Sequence, residues 1–129
     1  VALRNLEIFE REGLVARAEA MGARLKARLQ TLLTEPHVGE VRGLGLMCAV
    51  EIVADRESRR PFDPALGVGP RLFRAMRERG LLTRMKGESI LLAPPLVVTE
   101  EEVDTIVEIV GSVVRNVAGA APAPGHEVA

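Results

Sequence analysis

The chain is expected to fold as one α+β domain, a small antiparallel-rich sheet with helices packed on one face, in the order α-β-β-α-β-β-α. Three observations predict this. Stretches with apolar residues three and four positions apart stand at the start, in the middle and near the end. Two pairs of short apolar runs lie between them, each pair joined near a glycine. At 129 residues the chain is long enough to bury one real core.

Residues 2–34 read as helix. Leu3, Leu6, Ile8 and Phe9 form one apolar stripe; Leu14, Ala18, Met21, Leu25, Leu29 and Leu32 form another. Gly13 falls between the stripes and predicts a break, because glycine is a poor helix former. Gly22 lies inside the second stripe, where it permits close packing. Glu35-Pro36 ends the helix, since the residue before a proline avoids helical geometry. The opening "VALRNLEIFE" reads as helix interior without a capping residue, which suggests that the chain starts within a longer element.

Val38 and Val41 mark a first strand, and the run Leu44–Val53 a second, buried one. Arg42-Gly43-Leu44-Gly45 is the expected turn between them. "ADRESRRPFDPALG" is a charged loop, and "VGPRLFRAMRERG" a helix with Leu72, Phe73 and Met76 inward and Gly80 at its C-terminal cap. Leu81–Thr83 and Ser89–Ala93 are short strands joined around Gly87, the second ended by Pro94-Pro95, which cannot donate to a ladder. Thr99 and Glu102 form a capping box, and Val103, Ile106, Val107, Val110 and Val114 a buried stripe. From Gly119 the sequence is small, Pro-rich and expected to be mobile.

Composition narrows the function. Hydrophobic residues make up 47% and charged residues 27%, with a formal net charge of −1, so nothing attracts nucleic acid or an anionic membrane. Aromatics are 2%, which removes base-stacking platforms. No apolar run reaches the length of a membrane span. Cys48 is the one cysteine, so no intrachain disulfide forms, in keeping with a reducing compartment; His37 and His126 are too far apart for a Cys/His metal site.

Most chemistry-bearing residues have an ordinary structural explanation. "RGLGL" lacks the spacing and the Lys-Ser/Thr pair of a phosphate loop and leads into a strand. Glu100, Glu101 and Glu102 sit where a helix dipole favours negative charge. Cys48 reads as a small buried hydrophobe, His37 as a loop residue, and Arg56–Arg60 as a solvated loop. Lys26 faces outward and Lys86 lies in a turn; neither has the apolar setting that lowers a lysine pKa for Schiff-base chemistry. Arg84 stays open. It is either a strand-end cation in water or a carboxylate clamp, a task for which the planar guanidinium fork is well shaped.

The segments "VGEVRGLGLMCAVEIV", "PFDP" and "RGLLTRMKGESILLAPPLVVTEEEVD", together with the opening "NLEIFEREGLVARAEAMGARLKARLQTL", resemble the C-terminal small domain of class III aminotransferases, pyridoxal-phosphate enzymes of fold type I. The likeness runs to about residue 117. It implies a division into residues 1–12, a connecting helix from a large domain; 13–118, the small domain; and 119–129, a flexible tail. It also implies that the Schiff-base lysine and the aspartate that pairs with the cofactor nitrogen stand on the large domain, because neither matches a position here. This chain alone should then bind no pyridoxal phosphate and be inactive, and the parent should be a cytoplasmic homodimer.

Within the family, the pattern Arg-x-x-Gly-x-x-Ile-x-x-x-Pro-Pro-Leu beginning at Arg84 is similar to the ω-transaminase branch. There the arginine in that place binds the substrate carboxylate and swings aside for an amine without one. Ornithine-type relatives look like Ile-Arg-Phe-Ala-Pro-Pro-Leu where this chain has Ile90-Leu91-Leu92-Ala93-Pro94-Pro95-Leu96. The missing clamp at Leu91 argues against ornithine-like, acetylornithine-like and 4-aminobutyrate-like substrates. The resemblance therefore implies transfer of an amino group from an amine or ω-amino acid to pyruvate or a similar keto acid. The alternative is a non-catalytic α+β binding module descended from such a domain.

Overall fold

A computed structural model describes residues 1–121 as four α-helices and one four-stranded sheet. The order is α1 (Ala2–Arg11), α2 (Leu14–Gln30), β1 (Val38–Leu44), β2 (Met47–Ile52), α3 (Val68–Glu78), β3 (Arg84–Lys86), β4 (Ser89–Leu92) and α4 (Glu100–Val117). This is the α-β-β-α-β-β-α order read from the sequence. For residues 122–129, the expected mobile tail lies outside the described residues.

The helical start breaks at Gly13, which caps α2 at φ 57°, a left-handed conformation that a side chain disfavours. Helix α1 has no buried residue, and Leu3 and Leu6 are exposed. Helix α2 buries Leu25 and Leu29 completely and tightens into a 3-10 turn, Thr31–Thr34, before Pro36. Gly22 lies against the tip of the β1–β2 hairpin: a Cβ there would come within 2.2 Å of the Gly45 carbonyl carbon.

All strand pairs are antiparallel, in the spatial order β1-β2-β4-β3. Because side chains alternate across a strand, Val38, Cys48, Val50, Ile52, Ile90 and Leu92 turn to one side and enter the core. Leu72 and Met76 of α3 and Val103, Val107, Val110 and Val114 of α4 close over them. Among the described residues no helix covers the other face of the sheet.

Three local features differ from the sequence-based expectation. First, the hairpin turn is Gly45-Leu46, with β1 running on through Leu44, which pairs with Met47. Gly45 alone there has a positive φ, 55°, whereas Gly43 is small because a Cβ would strike Cys48 Sγ at 2.6 Å. Second, Leu81–Thr83 is not a strand. Gly80 at φ 84° turns the chain out of α3, and pairing with β4 starts at Arg84, opposite Leu91. Beyond Leu92, at that same end of β4, Pro94-Pro95 offers no N–H with which to extend the ladder. Third, Phe73 is 37% exposed; the inward side of α3 is Val68, Gly69, Leu72 and Met76.

The α4 start is the expected capping box. Thr99 Oγ1 accepts from the Glu102 N–H at 3.2 Å, and Glu102 Oε2 accepts from the Thr99 N–H at 2.8 Å. Just beyond it, Asp104 joins α4 to α2: Arg24 Nη2 donates to Oδ2 at 2.8 Å, and Arg28 Nε lies 3.2 Å from Oδ1. The Arg24 bond, helped by the charge of both arginines, holds the Asp104 carboxyl below its usual range against the opposing effect of burial. A group depressed in the folded state stabilises the fold above its unfolded pKa, about 4, and loses that contribution as pH falls through the folded value. Asp104→Asn should therefore lower the urea midpoint of the domain at neutral pH, and the gap to the parent sequence should close in strong acid. Equal gaps at both pH values would deny the pair any titratable part in stability.

Candidate functional site

The open face of the sheet forms the floor of a cleft of about 860 Å³. Its location follows from the pairing register. Arg42 of β1 is opposite Ala49 of β2, Ala49 is opposite Leu91 of β4, and Leu91 is opposite Arg84 of β3. These four residues make one row across the whole sheet. An arginine stands on each edge strand, and two apolar side chains lie between them. Pro94 and Pro95 wall one end, and Met47 lines the cleft near the hairpin tip.

Arg84 is exposed at the rim of this cleft. Its neighbour Met85 packs against the core, as the strand's two-residue period requires. Thr83, just before it, donates its hydroxyl to the Leu91 carbonyl, which ties the start of β3 to β4. Among the described residues Arg84 has no ion-pair partner. It is neither pinned by an acid among the described residues nor buried.

The sequence predicts a structural turn at Arg42, but the structure places it in β1, at the other end of the row from Arg84. The signal was the alternation itself. With the turn at Gly45-Leu46, Val41 faces in and Arg42 must face the open side. Arg42 Nη1 is 3.2 Å from Glu40 Oε2 and 3.9 Å from Glu51 Oε2.

Arg59 meets the same two oxygens, at 3.1 Å from Glu40 and 2.6 Å from Glu51. It comes from Arg56–Arg60, expected from the sequence to be a solvated loop, and it holds a φ of 55° that non-glycine residues seldom adopt. Hydrogen bonds from Arg59, then the charges of Arg59 and Arg42, keep the Glu40 carboxyl below its ordinary value, with burial opposing. The loop is thus tied to the open face at a point beside the cleft.

The remaining candidates are placed elsewhere. Cys48 is buried, and burial raises its thiol pKa, the reverse of what a nucleophile needs. Lys26 is half-buried instead of facing out, and its Nζ donates to the Gly43 carbonyl at 3.2 Å. Lys86 is exposed on the edge strand β3. His37 is more than a loop residue: Nδ1 lies 3.0 Å from the Val53 carbonyl oxygen, and its ring is 5.2 Å from that of Phe62. Among the described residues no group of three acidic, His or Cys side chains could hold a metal, and no helix is long and apolar enough to cross a membrane.

Residues 1–114 match the sequence profile of class-III aminotransferases. The chain is 48% identical over 108 residues to a diaminobutyrate–2-oxoglutarate transaminase of Halomonas elongata, a match covering 81% of this chain and 23% of that protein. It is 39% identical over 109 residues to an adenosylmethionine-8-amino-7-oxononanoate aminotransferase of Nitratidesulfovibrio vulgaris, covering 84% and 20%. An (S)-enantioselective ω-transaminase from Thermomicrobium roseum superposes with a TM-score of 0.86 at 43% identity, over 90% of this chain and 26% of that one. The chain thus spans about a quarter of the length of these relatives.

Proposed function

Because the chain belongs to the class III aminotransferases and is ω-transaminase-like in its structural neighbours, we propose that it is the substrate-facing small domain of an enzyme that moves an amino group from an amine or ω-amino acid to pyruvate or a similar keto acid. One observation carries this reading: Arg84 stands at the rim of an apolar cleft with no ion-pair partner among the described residues. A guanidinium there binds a carboxylate through two parallel hydrogen bonds while the apolar floor takes the carbon chain. Its length and its place on a three-residue edge strand let it turn outward when an amine without a carboxylate enters.

The family's cofactor, pyridoxal phosphate, supplies the electron sink of the reaction. The residues of this chain do not fit it. Lys26 is tied to the Gly43 carbonyl, and Lys86 stands in solvent without an apolar wall. The Schiff-base lysine is accordingly assigned to the remaining three-quarters of the parent, in a large domain that covers the open sheet face and the apolar side of α1. The parent is read as a cytoplasmic homodimer that binds small amine, amino acid and keto acid substrates.

The reading is tested on the full-length protein with amine donor and pyruvate varied together. Parallel double-reciprocal lines are expected, as in a ping-pong reaction, with borohydride fixing the cofactor on a lysine other than Lys26 or Lys86. Absence of cofactor and of any transamination would favour the non-catalytic module instead.

A further inference from the structure

We propose that Arg42 is a second carboxylate-binding residue of the same cleft, so that the enzyme also accepts a keto acid bearing two carboxylates. This rests on the reading of Arg84 as the first clamp and extends it to a class of acceptor.

The register places the two arginines at opposite ends of one row, with three interstrand steps, about 14 Å of backbone, between them. Both side chains line the cleft, and Ala49 and Leu91 between them present no polar atom from their side chains. A short diacid lying along the row therefore has one arrangement that satisfies both charges. Its chain rests on the apolar floor and each carboxylate meets one arginine, the two long side chains leaning inward to shorten the span.

Arg42 is already paired, and the pairing is built to be released. It contacts Oε2 of Glu40 and, more loosely, Oε2 of Glu51. Arg59 contacts those same two oxygens at equal or shorter distance. When Arg42 turns toward a ligand, both glutamates keep a cation, so no carboxylate is left alone on the cleft side. Exposed pairs of this kind contribute little to stability, whereas a carboxylate gripped by an arginine fork in a closed cleft gains more. The exchange therefore favours the ligand when a second carboxylate is present. With a single carboxylate at Arg84, Arg42 has no reason to leave Glu40. Arg59 acts here as a positioning residue: it holds the glutamates that would otherwise hold Arg42 back.

The test uses the full-length enzyme with its cofactor and one fixed amine donor. It compares kcat/KM for 2-oxoglutarate, the diacid probe, with that for pyruvate. The readout is the ratio of the two. For Arg42→Gln the ratio should fall at least about tenfold, the loss expected of one charge-assisted carboxylate contact, with Arg42→Lys intermediate. Glu40→Gln, which loosens the hold on Arg42 without touching it, should raise the ratio. An unchanged ratio in Arg42→Gln, an opposite shift in Glu40→Gln, or no turnover of 2-oxoglutarate by the unaltered enzyme would each overturn the proposal. Arg84→Ala separates this from the reading beneath it. If that variant handles both acceptors as well as the parent, the first clamp fails whatever Arg42 does.

Discussion

Arg84→Ala in the full-length enzyme should raise the KM of pyruvate about ten- to a hundredfold, the loss of one bidentate charge-assisted contact worth about 1.5–3 kcal/mol. A simple amine donor should lose far less, since it brings no carboxylate to the cleft. The asymmetry is the informative part, because the side chain lies at the rim with no internal partner among the described residues. Its removal leaves no orphaned acid and no cavity, so folding should be spared. Steady-state kinetics on both half-reactions measure the difference. Equal losses for amine and keto acid would show that the guanidinium organises the cleft in general and grips no carboxylate in particular.

Gly22→Ala should destabilise the domain by about 2–3 kcal/mol, at the upper end of what overpacking costs. Two effects compete at this position. Alanine is the better helix former by about 1 kcal/mol. The added methyl, however, would stand 2.2 Å from the carbonyl carbon of Gly45, 2.3 Å from its oxygen and 2.6 Å from its Cα, all of them backbone. Backbone cannot rotate away as a side chain can, so helix α2 and the β1–β2 tip must part. Gly111→Ala is the control. There the new methyl meets Leu32 Cδ2 at 2.9 Å, the movable end of a side chain, and the loss should be clearly smaller. Denaturant midpoints of the two variants give the comparison; equal midpoints would mean that the hairpin tip yields more easily than its contacts imply. Because Met47 beside that tip lines the cleft, the first variant should also disturb substrate binding.

The fold was legible where the sequence carries local punctuation. Gly13 at positive φ, the Thr99–Glu102 box, Pro36 and Pro94-Pro95 each set an element boundary through chemistry that acts within a few residues. What escaped depended on partners distant in sequence. Two glycines at 43 and 45 looked equally suited to turn the first hairpin, and only the second does. The first is small because Cys48 passes over it. Leu81–Thr83 has strand composition, but strand β4 ends too early to pair with it. Phe73 has the residue type of a core position, but its place on α3 leaves it at the margin.

The candidate site divides in the same way. Arg84 could be singled out because it closes an apolar run and heads a family-like pattern. Arg42 could not, since its placement follows from a turn two residues farther along the chain. Nor could the link from Arg59 to Glu40 and Glu51, which joins a loop to two strands.

Both β-hairpins close with just two residues, Gly45-Leu46 and Gly87-Glu88. In a strand with a repeat of two, parity decides which way a side chain looks. Adding or losing a single residue in the second loop would exchange Arg84 with Met85, driving a cation into the hydrocarbon interior and a thioether into water. The loops of this domain can thus drift in composition far more freely than in length, and a lineage that changed its clamp would be expected to do so by substitution, leaving the count of residues alone.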